Sequence, residues 1–491
     1  MSLFLGIDLG TSSVKAVVVD ADGHVRAEAV SDPIPLSRPK PGWSEQDPED
    51  WWTAASQAVL DLPADLRAGV KAIGLSGQMH GAVCLDANDT IIRPTILWND
   101  GRSEAACDEL ERQVPESRSI TGNAAMAGFT APKLVWIRQH EPEAFDRIRC
   151  VLLPKDWLRL RMCGNKASDH SDSAGTLWMD VAARKWSDAM LAATGLDRAT
   201  MPELFEGSEI TGRLRPDIAT GWGLARIPVA AGGGDNAAGA VGMGAISDGE
   251  GFVSLGTSGV IFVADDHFRA APDRMVHAFC HALPGRWHRM GVTLSAASAL
   301  DWAARSFGFG KTPALLAAVD ADRMGEGPMM LPYLSGERTP HNRPALRAQI
   351  HGLGMEHGPD ALAAAALEGV CHTLADAHRA LGAANPLPDA LSVIGGGSRS
   401  DLFCRTLASA LDTRLERRDA ASAGPAYGAA RLARLCLGGE TPTAVCAPPP
   451  IEAVFDPQPD LRDRLKSRAR IFADLLPAAT RASALLSRTA T

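Results

Sequence analysis

The chain has little of what would cross-link it, export it or bury it in a membrane. Its nine cysteines stand singly, with no C-x-x-C pair and no His/Cys group at zinc spacing, so neither a disulfide framework nor a structural zinc site organises it. No apolar run approaches the ~20 residues of a membrane helix. The opening MSLFLGID has no basic n-region and no cleavage site. Basic residues are outnumbered 49 to 58, which argues against broad nucleic-acid binding. The P-loop pattern G-x-x-x-x-G-K-[ST] is absent, and no G-x-G-x-x-G follows the first strand, which disfavours a dinucleotide-dependent dehydrogenase. These absences lead to the expectation of a reduced, cytoplasmic protein whose partners are neither nucleic acid nor membrane.

What is present is an alternation of strand and helix patterns over 491 residues, too long for one core and suited to a layered α/β architecture. The tetrapeptide LGTS occurs twice, at 9–12 and 255–258. Each copy joins two apolar strand-like runs, FLGID to VKAVVVD and GFVSL to GVIFVAD. Asp47, Pro48, Glu49 and Asp50 announce a helix. Residues 70–77 read as a buried strand, Pro359 to about Leu381 as a long helix, and LSVIGGGSRSDLF as strand, glycine turn and helix. Residues 441–460 are proline-rich and read as an extended surface segment, and the last ~30 residues as a helical tail. The boundary between two domains is expected near residue 245, giving 1–245 and 246–491.

Several motifs have the parts for chemistry. A glycine between strand and turn lets backbone approach a ligand, and Thr or Ser adds hydroxyls. GIDLGTSSVK therefore has the makings of a phosphate cradle, with Asp8 placed to hold Mg²⁺ and Lys15 to add positive charge. One such turn could equally be a hairpin chosen for shape. Two copies suggest related halves facing each other across a cleft, with nucleotide phosphates between them. In AGGGDNAAGAVG, three glycines bring Asp235 to a loop that a ligand can approach, which suits a general base in phosphoryl transfer; the alternative is a helix N-cap. The sequence implies no deeply apolar site, so Asp235 is expected to be ionised at neutral pH with a pKa near 4. In SGQMHGAV, Gln78, Met79 and His80 could meet a small polyol, or His80 could be structural. IGGGSRSD offers a side-chain-free surface for adenine or ribose, or is an ordinary strand-to-helix turn. LPYLSGERTPHNRP is a cleft-edge loop or a solvated one in which Glu337 and Arg338 serve structure. Trp51, Trp52, Trp98, Trp157 and Trp302 read as core.

Taken in order, GIDLGTSSVK, WSEQDPEDWW, GQMHGA, ILWNDGR, GFTAPKL, LLPKDWLRLRM, GGGDNAAGAVG, SLGTSGV, LSAAS and YLSGERTPH resemble the FGGY carbohydrate kinases of the actin/hexokinase/heat-shock ATPase superfamily over nearly the whole chain. The resemblance implies two ribonuclease-H-like (actin-like ATPase) domains closing on ATP, Mg²⁺ and a ketopentose in the cleft between them. By position it implies that Asp235 is the catalytic base and Asp8 the metal- and phosphate-side aspartate. Met79 and His80 would contact sugar, with Asp235 and Asn236 beside them. Thr11, Ser12 and Lys15, with Gly256 and Thr257, would form the two phosphate turns, and Gly396 and Gly397 the adenosine turn. That last turn departs from relatives at Ser400 and Asp401, where they often place asparagine. A homodimer is left open. The close rival is the same chemistry on another sugar, such as D-ribulose or a deoxy-ketose; the more distant rival is a nucleotide-driven binding protein of the same superfamily, which would have no reason to keep SGQMHG and GGGDN together.

Overall fold

Both LGTS turns close hairpins. In the computed structural model, which describes residues 2–383, 386–418 and 424–488, strand Leu3–Leu9 runs antiparallel to Val14–Asp20, with Leu9 opposite Val14. Strand Gly251–Leu255 runs antiparallel to Gly259–Asp265, with Leu255 opposite Gly259. Each hairpin then acquires a parallel neighbour on its first strand. Leu3–Leu9 lies beside Val70–Gly77, and Gly251–Leu255 beside Ala390–Ile394. Each unit grows into a seven-stranded mixed sheet covered by helices. The fold is therefore α/β in two related halves, as the repeated turn implies.

The local signals act as the sequence suggests. Asp47 caps helix Pro48–Leu60 by accepting from the Glu49 amide at 3.0 Å. Helix Pro359–Gly382 buries most of its length against the second sheet. Two readings are corrected. Segment 441–460 is not merely extended surface: after a short helix, Ile451–Phe455 pairs antiparallel with Arg414–Arg418 as an edge strand and buries Phe455. Its prolines lie before and after the strand, none within it, and so cost the ladder no donor. Trp98 is not core but 37% exposed. The tail is helical over Pro459–Arg488 and seats Phe472 and Ala479 against Leu331 and Tyr333; residues 489–491 lie outside those described.

The halves are joined by an exchange of helices. Helix Asp235–Met243 leaves the first sheet and packs Ala240 with Phe252 and Phe262 of the second. Helix Pro425–Leu435 crosses back, setting Ala426, Ala430 and Ala433 against Phe4, Val17 and Ala72. The crossing is at backbone distance. A Cβ on Gly6 would stand 1.8 Å from the Ala426 carbonyl oxygen, on Gly74 1.9 Å from that of Ala429, and on Gly428 1.7 Å from that of Ala238. Arg431 fastens the same crossing, donating to the carbonyls of Val241 and Gly242 at 2.9 and 3.0 Å.

Gly428→Ala must therefore separate two helices that touch through backbone. It is expected to destabilise the protein by about 1–3 kcal/mol, the usual cost of overpacking, read as a lower melting temperature. Gly221→Ala, in a helix where the added methyl meets nothing within 4 Å, should leave melting unchanged or raise it slightly.

Candidate active site

Three parallel strand ends meet where the halves face each other. In register, Asp8 of Leu3–Leu9 stands beside Ser76 of Val70–Gly77, and Ser76 beside Gly233. Asp8 and the glycine loop before Asp235 thus flank one strand at its carboxyl end, the usual ligand position in α/β sheets. The loop is anchored from beneath. The Gly234 amide donates to Ser171 Oγ at 3.1 Å, and Ser171 donates in turn to Asp169. Asp169 lies 2.6 Å from the fully buried Lys155 ammonium, which also meets Asp156 at 2.6 Å.

Asp235 is the first residue of its helix and not its N-cap. The cap position is Gly234, with no side-chain bond to the helix. The carboxylate instead accepts from Asn236, through its amide N–H at 2.7 Å and its side-chain Nδ2 at 2.9 Å, both at Oδ1. The expected solution-like acidity is overturned. Burial, and then the charge of Asp8, push the Asp235 pKa up to about 7. Burial likewise raises Asp8 to about 6 against the opposing pull of Ser76 and Lys15. The sequence reading could not see that two carboxylates from residues 8 and 235 share one low-dielectric site.

Asp235 and Asn236 line a cavity of about 250 Å³ together with Met79, His80, Phe129 and Arg338. Met79 is buried with its thioether against Gly234, where a Cβ would come within 2.9 Å of the sulfur. His80 sits in the left-handed region at φ 71°. Its Nδ1 lies 2.6 Å from the Gly175 carbonyl; a carbonyl only accepts, so Nδ1 carries the proton and Nε2 is left as an acceptor. Burial, then the charge of Lys133, hold the His80 pKa well below its ordinary value, so the ring is neutral. His277, a second lining residue, is in the same state. Its Nδ1 stands 3.1 Å from Asn123 Oδ1, which also accepts the Ala278 amide, and burial lowers its pKa to about 3.

The remaining candidates divide. Trp98, on the cavity wall, donates to Thr11 Oγ1 at 3.0 Å, and Thr11 donates to Gln78 Oε1 at 3.0 Å. The first turn thus reaches the cavity, with Ser12 exposed, but the Thr11 hydroxyl is engaged within the protein. Gln78 is also corrected: it is buried, held between Thr11 and Gln46, and does not line the cavity. Lys15 is ion-paired with Glu28 at 2.8 Å on the neighbouring strand. In the second half, Gly256 and Thr257 accept at their carbonyls from the Ala297 and Ser298 amides, so helix Ala297–Ser306 starts at the turn. Ser258 of the same turn lines the cavity. Gly395–Gly397 packs on this turn, a Cβ on Gly397 coming within 2.8 Å of Leu255. The phosphate-turn and adenosine-turn candidates of this half are therefore neighbours.

Lys133 was not singled out in the sequence, although GFTAPKL contains it. Its buried ammonium donates to the carbonyls of His80 at 3.1 Å and Phe129 at 3.0 Å, and to that of Gly128. One cation thereby ties the His80 backbone, at its positive φ, to the Gly128–Phe129 segment of the cavity wall, at the cost of a pKa lowered by burial to about 7. A lysine inside a helix carries no sequence signal for this role, because its acceptors are 53 and a few residues away.

Residues 3–242 match the N-terminal domain, and 251–435 the C-terminal domain, of the FGGY family of carbohydrate kinases. The chain is 50% identical to the xylulose kinase of Escherichia coli (strain K12), covering 97% of this chain and 99% of that one. It is 49% identical to the xylulose kinase of Klebsiella pneumoniae over the same shares. A crystal structure of a "xyloylose kinase" from Brucella ovis superposes with a TM-score of 0.93 at 45% identity, covering 97% of this chain and 99% of that chain.

The shared acidity of the site has a measurable sign. A carboxyl whose folded-state pKa of about 7 exceeds its ordinary value of 3.8 binds its proton more tightly in the folded protein. Its ionisation therefore costs stability increasingly between about pH 4 and 7, and fully above. In the ligand-free protein, Asp235→Asn should melt at the same temperature as the parent near pH 4 and several degrees higher at pH 8. Melting curves across that range check it; a variant less stable at every pH would mean that Asp235 is chiefly a structural group.

Proposed function

The chain belongs to the FGGY family of carbohydrate kinases, and on that premise we propose that it transfers the γ-phosphate of ATP to the terminal hydroxyl of D-xylulose, giving D-xylulose 5-phosphate and ADP. The observation that carries this reading is the pairing of Asp235 with Met79 and His80 in one cavity, in a chain half identical to xylulose kinases along its full length. We take 1–245 and 246–491 as the two halves that close on the substrates.

In this reading the sugar lies in the cavity with its terminal hydroxyl at Asp235. Asn236 occupies Oδ1 and leaves Oδ2 to orient that hydroxyl and accept its proton as the bond to phosphorus forms. A base with a pKa near 7 is well matched to the task at neutral pH. His80 Nε2 accepts from a second hydroxyl, and Met79 packs on the carbon chain. The two LGTS turns, through backbone amides and the exposed Ser12 and Thr257, hold the phosphates, and Gly396 and Gly397 the adenosine. Asp8 fits Mg²⁺: its buried Oδ1 has no hydrogen-bond partner among the described residues, and a carboxylate oxygen is the hard ligand this ion prefers. Bound with ATP, the ion would offset phosphate charge in the transfer. Lys15, paired with Glu28, contributes background charge only.

No helix among the described residues is long and apolar enough to cross a membrane, and the cysteines are unpaired. Together with ATP dependence, these support a cytoplasmic place of action.

Asp235→Asn preserves shape but cannot accept a proton. It should lower kcat by roughly 10²–10⁴-fold while MgATP affinity stays nearly constant, measured by steady-state kinetics and calorimetric titration. His80→Ala should lower kcat/KM for D-xylulose on the order of 10²-fold without weakening nucleotide. Turnover intact in either variant would remove that residue from the mechanism.

A further inference from the structure

The cavity described above contains one group that the proposed chemistry does not use. Arg338 lines it, yet among the described residues its guanidinium has no hydrogen-bond acceptor and no ion-pair partner. The neighbouring Glu337 makes no ion pair with it: its Oε1 accepts the backbone amides of Leu294 and Arg338, both at 2.7 Å, and its buried Oε2 has no hydrogen-bond partner among the described residues. Burial lowers the pKa of Arg338, with the Glu337 charge the one opposing influence. Arg338 is half-buried, so its guanidinium can meet a ligand in the cavity it lines.

Its position is not that of a mobile surface arginine. On one side Glu337 bonds to the end of strand Trp287–Thr293; on the other, Thr339 exchanges bonds with Val292, its amide donating at 3.0 Å and its Oγ1 accepting at 3.1 Å. The Thr339 hydroxyl also donates to the Met275 carbonyl at 2.7 Å. The loop is thus fastened on both sides of Arg338. Its field falls on His80 and His277, lowering both, whereas the charge that falls on Asp235 is that of Asp8. Arg338 shares the lining of one cavity with both histidines.

An inventory of polar groups then distinguishes substrates. His80 and His277 present acceptors, and Asp235 presents another. The Asn236 side-chain amide spends one of its two N–H groups on Asp235, and the Trp98 indole N–H is given to Thr11. Sugar hydroxyls can donate to such a wall, but a carbonyl oxygen only accepts. Among the described lining residues away from the phosphate turns, Arg338 is the one cationic donor, and its fork only donates. We infer that Arg338 is a specificity residue that binds the carbonyl oxygen of an open-chain ketose and so selects ketoses over the corresponding polyols. A polyol hydroxyl placed there can also accept from the guanidinium, but its own proton must then find a separate acceptor, a demand the carbonyl does not make. This inference rests on the sugar-kinase reading of the site and deepens it.

The test compares D-xylulose with the two pentitols made by reducing its carbonyl, and with a five-carbon aldonate, in the parent enzyme and in Arg338→Met. The parent should prefer the ketose. Arg338→Met should lose on the order of 10²-fold or more in kcat/KM for D-xylulose and much less for the pentitols, so that the ratio collapses. If Arg338→Met melts early, the same ratio is read on Arg338→Gln, which keeps a single donor and should fall between. Equal losses on ketose and pentitol, or no loss, overturn the assignment while leaving the kinase reading intact. A parent that prefers the aldonate also overturns it, because the arginine then serves a carboxylate. A parent inert on every ketopentose overturns the proposed function itself.

Discussion

The structure depends on a helix crossing made at backbone distance. Helix Pro425–Leu435 lies on the first sheet and against helix Asp235–Met243 at distances that only glycine allows, at Gly6, Gly74 and Gly428. Interiors are close-packed and respond to misfit by moving backbone, so this crossing sets how the halves sit. The helix that carries Asp235 at its first residue is held between the sheets by it. The two LGTS hairpins lead into the cavity from opposite sides for the same reason, through Trp98 and Ser258. Gly428, distant from the cavity in sequence, is thus part of what positions the proposed base.

Around that frame, the site concentrates buried charge. Lys155 with Asp156 and Asp169 underlies the Gly234 loop, and Lys133 gathers the carbonyls of His80, Gly128 and Phe129. Buried ions of this kind add little net stability, because desolvation offsets their attraction. Their effect is to hold geometry: each fixes several backbone groups that a ligand would otherwise have to order at its own cost. The same burial that makes these cations useful raises Asp235 and Asp8 and lowers His80 and His277. The result is a neutral, acceptor-rich wall with one arginine, which suits a polyhydroxylated molecule better than a charged one.

Much of this was legible in the sequence. Repetition of LGTS revealed the two halves, because a hairpin turn and its flanking strands are local and leave their pattern in adjacent residues. The Asp47 cap, strand 70–77 and helix Pro359–Gly382 were read for the same reason. Asp8, Met79, His80 and Asp235 stood out because glycines and strand ends mark them. The edge strand Ile451–Phe455 did not, since its pairing partners are 33 or more residues distant and its composition resembles that of a loop.

What the sequence determined by itself was therefore the set of local elements, their order and the family pattern they carry. Tertiary structure alone decided which polar groups meet. It turned Asp235 from a solvated acid near pH 4 into one near 7, by bringing Asp8 beside it in a buried site. It moved Gln78 into the protein, Lys15 onto Glu28 and Trp98 out to the cavity. It also gave Lys133 and Arg338 their places, neither of which has a local signature. The reason is physical: electrostatic environment and hydrogen-bond partnership depend on groups far apart in the chain, and only packing brings them within a few ångströms.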